Sequence, residues 1–321
     1  MGILIVILGA FVTYAVIRCL PQSYTEKMAQ TLVDNSNGKL TVQDLKAQLD
    51  EQYGLGEDTG IIKGFGIWIG SALKLDFGMS WVEMRPVTEV FSDVIWWSVL
   101  MNVITMLVEI LVSIPLGILA ARKQYRAPDY IASIFALACI SLPTFYLGTV
   151  FKYIFAVKLE WLPLYGLTGR NHIYMGTMAK IGDIAVHLIL PVLTLGILNI
   201  GSLMRYTRTN MLEVLNADYI RTARAKGLPE KTVINKHAFR NTLVPLVTAF
   251  SGQLPAFFGG AMITEHIFKI PGIGETSYNA MVQGDIPFAM FYTTFIFVLT
   301  QVSLILSDIM YAVVDPRVRI N

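Results

Sequence analysis

The chain has 321 residues, 54% of them hydrophobic and only 15% charged, with a formal net charge of +2 and a mean hydropathy of +0.56. Soluble domains carry about 25% charged residues, so this deficit excludes an ordinary soluble fold and points to a polytopic membrane protein. The two cysteines, Cys19 and Cys139, lie in or beside apolar runs, which argues against a disulfide framework and against a metal cluster.

Gly2 to Ile17 is uncharged and near the lower length limit for a span. No basic segment precedes it, and Arg18-Cys19-Leu20-Pro21 is not a small-residue cleavage site, so it reads as a retained first helix with Arg18 reaching to the membrane interface. From Gln22 to about Asp93 the chain is polar. Thr41 before QDLKAQLDEQY resembles a capping box with Asp44, and that helix should end at Gly54. Gly56 to Trp81 is rich in glycine and aromatics, as expected of a small external domain near the interface. Further spans are expected at Ile95–Ala121, Tyr130–Val157, Ala185–Tyr206, Leu243–Ile263 and Phe288–Val314, with Pro115, Pro143, Pro191 and Pro255 bending them. The expected architecture is therefore all-α with six transmembrane helices. Its divisions are a first helix (1–20), an external domain and linker (21–94), a five-helix core (95–315) holding a cytoplasmic loop (207–242), and a tail (316–321).

Charge orients this arrangement. The loops after the second and fourth spans, with the tail, hold thirteen basic against six acidic residues, whereas the opposite side holds twelve basic against sixteen acidic. The basic side is expected to be cytoplasmic, with both termini inside. Glu109 stands alone near the middle of the second span. An intramembrane carboxylate is either a pathway group or a neutral or hydrogen-bonded structural one. No phosphate-binding loop, zinc-protease motif or nucleophile elbow is present, and His172, His187, His237 and His266 have no metal-ligand spacing. The residues support neither a catalytic site nor nucleic-acid binding.

The densest information lies in Asn216–Arg240, NADYIRTARAKGLPEKTVINKHAFR. It reads as a short helix, Ala217 to Lys226, capped by Asn216, ended at Gly227 and followed by a restart at Pro229. Such a helix is about 15 Å long and too short to stand alone in water, so it needs something to pack against. A topology signal requires no caps and no glycine break; a docking surface does.

Asp218–Leu228 followed by His237–Pro245 resembles the EAA loop of ABC importer permeases, in particular the peptide/nickel branch and its dipeptide- and oligopeptide-type B subunits. Arg221, Thr222 and Ala223 occupy the Glu-Ala-Ala places, Gly227 matches the loop glycine, and Phe239-Arg240 replaces the generic Leu-Pro. Leu75–Ser80, Arg85-Pro86-Val87, Ile114–Gly117, Ser141–Phe145, Trp161–Pro163, Glu265–Phe268, Pro271–Gly274 and Asp315–Arg317 resemble further landmarks of the branch in the same order. The resemblance implies a type I importer permease in a bacterial or archaeal cytoplasmic membrane. It would pair with a second homologous permease, two ABC ATPases and an extracellular or periplasmic solute-binding protein. ATP and magnesium would be bound by the ATPases, with no cofactor in this chain. Tyr219, Arg221, Thr222, Ala223, Arg224, Lys226 and Gly227 would form the ATPase-coupling element. Peptides are the expected substrate. The alternatives are nickel or metal chelates carried by the same architecture, proton-coupled transport through Glu109, or a membrane scaffold.

Overall fold

The computed structural model describes residues 2–19, 24–35, 41–54, 56 and 59–314. The expectations for Pro21, Gln22 and the 315–321 tail, with Arg317 and Arg319, lie outside the described residues. Every regular element among the described residues is helical, apart from one isolated bridge between Met79 and Pro86. The chain divides into two units, residues 1–96 with 276–301, and residues 97–275 with 302–321.

In the first unit, α1 (Gly2–Arg18), α2 (Tyr24–Asn35), α3 (Val42–Tyr53) and α4 (Ile61–Ala72) precede the start of α5 (Val87–Arg122). Thr41 caps α3 by accepting the Asp44 N–H at 3.2 Å, and Gly54 closes it in the left-handed region. The polar segment holds more helix than its sequence signals suggest. α4 hides in a glycine-rich run because Gly64, Trp68 and Ala72, spaced i, i+4 and i+8, form its buried face. Trp68 and Ala72 join Ala10, Tyr14, Trp81 and Met290 in one apolar cluster. Arg18 is tied down within the chain. Its guanidinium donates to the carbonyls of Gly54 at 2.5 Å and Gly56 at 2.6 Å and to that of Thr59, pinning the loop after α3 to the end of α1. Asp285 caps α15 (Ile286–Val314) through the Phe288 N–H and accepts from Ser80 Oγ at 2.5 Å.

The second unit is built along α8 (Thr177–Leu215), an unbroken helix of 39 residues. The span expected at Tyr130–Val157 is broken into α6 (Ala127–Ser141) and α7 (Thr144–Phe151), the latter continued by a π-helical stretch, Lys152–Lys158, with a bend of 100°. Pro143 is the cause. It lacks an N–H and drives Leu142 out of the helical region, to φ −88° and ψ 129°. Pro115 and Pro191 instead lie within continuous helices. The span expected at Leu243–Ile263 is likewise divided. Glu230–Thr232 (α10) leads through a π-helical turn, Val233–Ala238, into α11 (Phe239–Ser251). Then come α12 (Leu254–Gly259), with Pro255 in its first turn, and α13 (Met262–Phe268), the two halves meeting at 43°. α14 (Ile273–Gln283) follows and belongs partly to each unit.

Both broken pairs nonetheless run the length of α8 in the opposite sense. Asp129 at the start of α6 meets Arg208, a Cβ on Gly201 would lie 2.7 Å from that of Cys139, and one on Gly148 would lie 3.4 Å from Thr194. In the same direction, Thr242 Oγ1 donates to Met211 Sδ at 3.1 Å, Tyr206 donates to the Pro245 carbonyl at 3.4 Å, and Phe268 shares a cluster with Leu188 and Leu190. Among the described residues, three helices are long and apolar enough to cross a membrane, α5, α8 and Ile286–Tyr311 of α15, or five if each bent pair is one span. α1, with 17 residues, is a shorter apolar helix.

Candidate functional site

α8 ends with Asn216. Its side chain does not cap the next helix, as the sequence pattern suggests; Nδ2 donates back to the Leu212 carbonyl at 2.9 Å and closes α8 instead. The next helix, α9, runs Asp218–Ala225 with Ala217 at its N-cap. Its stability comes from tertiary packing, as its length requires. Ile220 is fully buried and Ala223 nearly so, in a cluster with Ala121, Met211, Val233, Ile234 and Ala238. Burying a side chain of isoleucine size is worth about 1.5–3 kcal/mol, which offsets the cost of nucleating two turns.

That packing sorts the coupling residues predicted from sequence. Tyr219, Arg221, Thr222, Arg224, Lys226 and Gly227 are exposed. Ala223 is on the inner face, so its side chain packs against the chain's own cluster and presents no outward contact. Thr222 Oγ1 donates to the Asp218 carbonyl, and Arg221 lies 3.6 Å from the Asp218 carboxylate. Arg224 is turned toward Glu230, with Nη2 donating at 2.9 Å and Nε at 3.2 Å. Burial and the Glu213 carboxylate push the Tyr219 phenol up, so it stays protonated as a donor at neutral pH.

Gly227, at φ +75°, makes the turn possible, because a side chain there would be strained. Its N–H bonds the Arg224 carbonyl at 3.0 Å, and the Leu228 N–H bonds that of Ala223 at 3.4 Å. The Arg224–Glu230 pair straps the two sides of this turn together. The result is a short cationic ridge held on the end of a long helix by a buried apolar foot.

Glu109 and Glu265 are among the carboxylates buried elsewhere in the second unit. Glu109 is 3% exposed, and the side chain of Asn199 on α8 is its polar neighbour. Sequence reasoning singled out Glu109 but missed Asn199, although an amide in an apolar span is a signal of the same kind. Glu265 is fully buried and appears in the sequence reading only as part of a landmark. It accepts from Ser98 Oγ at 2.8 Å and from the N–H groups of Ala261, Gly274 and Glu275 at 2.9, 2.7 and 3.1 Å. Ser98 Oγ in turn accepts from the Ile273 N–H. This knot fixes the Pro271–Gly274 turn against α5 and α13. No group of three or more His, Cys, Asp or Glu suited to a metal ion occurs among the described residues.

α8 is long and apolar enough to cross a membrane and leads directly into the α9 ridge. Residues 113–320 match the family described as the binding-protein-dependent transport system inner membrane component. The chain is 36% identical to the oligopeptide transport system permease protein AppB of Bacillus subtilis over 85% of this chain and 84% of that one. It is 32% identical to the dipeptide transport system permease protein DppB of Alkalihalophilus pseudofirmus, over 96% and 93%. It is also 32% identical to the glutathione transport system permease protein GsiC of Escherichia coli, over 83% and 82%. The chain belongs to this family of ABC importer permeases, in agreement with the resemblance carried by its motifs.

Proposed function

We propose that this chain is the permease subunit of a peptide importer, that α9 is its coupling helix, and that separate ATPases drive it. The observation that carries the reading is α9 itself, a ridge whose inner face is buried in its own chain and whose outer face offers Tyr219, Arg221, Thr222 and Lys226 to a partner. Peptides are the substrate class because the relatives named above are oligopeptide, dipeptide and glutathione permeases. A second permease would complete the pathway, and a solute-binding protein would deliver peptide to the opposite face. The six-span arrangement in a cytoplasmic membrane, with both termini inside and the segment after α1 outside, is part of the proposal. Its support is that each broken pair tracks α8. The α6–α7 track from Arg208 to Thr194 covers about 21 Å and the α11–α13 track from Met211 to Leu188 about 35 Å at 1.5 Å per residue, against a hydrocarbon core of about 30 Å.

The test is uptake of labelled peptide into cells, read beside the amount of ATPase that co-purifies. Gly227→Pro, which cannot adopt φ +75°, and the paired reversal Arg221→Glu with Lys226→Glu should each lower uptake at least about tenfold, a loss of ~1.4 kcal/mol or more at the contact, while the chain still inserts in the membrane. Normal uptake by a normally assembled complex carrying these changes would sink the coupling assignment.

A further inference from the structure

Between α6 and α8 lies a cavity of about 310 Å³ that the transport reading leaves unused. Its origin is local. Gly201 brings α8 against Ala136 and Cys139 of α6, with a would-be Cβ only 2.9 Å from the Ala136 carbonyl. Two turns on, the helices are tied again by Arg208, which donates through Nε at 2.5 Å and Nη2 at 2.8 Å to the two oxygens of Asp129. Between these ties three of the four α6 residues that line the space are small, Ala132, Ser133 and Ala136, so it is left open.

The walls are of two kinds. Arg205 and Arg208 supply donors, while Leu137 and Met204 supply apolar surface; the hydroxyls of Ser133 and Thr209 already donate to Asp129 and to the Arg205 carbonyl. Asp129 uses Nε and Nη2 of Arg208. Among the described residues, neither the remaining Nη1 nor the Arg205 guanidinium has a hydrogen-bond or ion-pair partner. The cavity therefore carries a net positive charge and unused donors. Alongside it, the outer face of α6 exposes Ile131, Ile134 and Leu137, at 68%, 66% and 53%. Arg205 and Arg208 are also the first charges after the apolar stretch of α8, which sets the cavity at headgroup depth.

We propose that this cavity binds an anionic phospholipid, with the headgroup phosphate on Arg205 and Nη1 of Arg208, and an acyl chain laid along Ile134 and Leu137. Charge and depth together favour this occupant. A soluble phosphate compound would match the donors but leave the apolar wall bare, and a zwitterionic lipid would bring an ammonium group toward two arginines. The site rests on the span assignment of α6 and α8 and not on which solute is transported.

The experiment is native mass spectrometry of the detergent-purified, delipidated importer complex titrated with phosphatidylglycerol, phosphatidylcholine or glycerol phosphate. Phosphatidylglycerol should bind and survive activation, and phosphatidylcholine should not. Arg205→Gln, at an exposed position, should weaken phosphatidylglycerol binding about fivefold, the equivalent of ~1 kcal/mol for one basic contact. Ala132→Leu, which fills the cavity without adding or removing a charged or hydrogen-bonding side chain, should weaken it too. Unchanged binding in both variants, equal retention of phosphatidylcholine, or displacement of the lipid by an equal concentration of glycerol phosphate or of the transported peptide would each overturn the proposal.

Discussion

Glu109 shows how much a single partner decides. From sequence it is a lone carboxylate in a span and so a candidate proton carrier; the structure gives it Asn199 on the facing helix. An amide keyed to a buried carboxyl group is a tie between α5 and α8, and its worth lies in not leaving either group unmet, about 1–3 kcal/mol for an orphaned partner. Glu109→Gln keeps a group able to bond Asn199 and should transport within about twofold of the parent, since little of that hydrogen-bond energy is lost. Glu109→Leu and Asn199→Leu should each lower the thermal midpoint of the purified chain, and the double variant should lower it by less than the sum. Uptake abolished in Glu109→Gln but retained in Glu109→Leu would have no explanation in this scheme. Uptake that collapses with the proton gradient while ATP is held constant would restore the proton-carrier reading. Glu265 presents the opposite case. Nothing in Glu265-His266-Ile267-Phe268 announces a carboxylate with four donors, because those donors come from Ser98 far back in the chain and from backbone N–H groups that only the folded turn brings together.

At the scale of elements, capping chemistry was legible wherever it was local. Thr41, Gly54 and Gly227 act where the sequence places them. Asn216 does not, since the C-terminus of one helix and the N-terminus of the next compete for the same side chain and α8 takes it. Pro143 was visible as a residue, but its effect was not, because Pro115 and Pro191 carry the same signal inside helices that continue. The sequence marks the 217–226 helix as a short piece in need of something to pack against, yet which side it buries depends on the cluster contributed by α5, α8 and the 233–238 turn. That burial yields a prediction separable from the charge reversal. Ile220→Ala removes the apolar foot and leaves every exposed residue of α9 in place. It should cost about 2–5 kcal/mol locally, raise hydrogen exchange in 218–226 and reduce uptake, with the ATPase still binding through the outer face. Unchanged exchange in 218–226 would mean that α9 is held by something other than Ile220.

At the scale of the whole molecule, the six-span reading depends on α1, which is short at 17 residues, and on whether each bent pair crosses the membrane or turns back within it. A pair that turned back would return Thr177, the start of α8, to the side on which α5 ends. The basic residues after α5 and those after α8 would then lie on opposite faces, against the positive-inside rule. The packing argues for crossing, because α6 begins beside Arg208 and α7 passes Thr194, further along α8 in the same direction. A 100° bend at Pro143 is tolerable in lipid only where neighbouring helices meet the freed backbone groups, and α8 and α13 pack beside α7, with Thr194 and Phe268 both next to Gly148. The consequence can be read with single cysteines, starting from the variant with Cys19→Ser and Cys139→Ala. A membrane-impermeant thiol reagent applied outside intact cells should label Gln48→Cys and Tyr174→Cys, both exposed positions. It should label Lys123→Cys and Lys231→Cys only after permeabilisation. Equal labelling of Lys123→Cys and Tyr174→Cys from one side would make α6 and α7 a re-entrant pair. Labelling of Gln48→Cys from the inside alone would show that α1 does not cross, and the external domain would have to be given up with it.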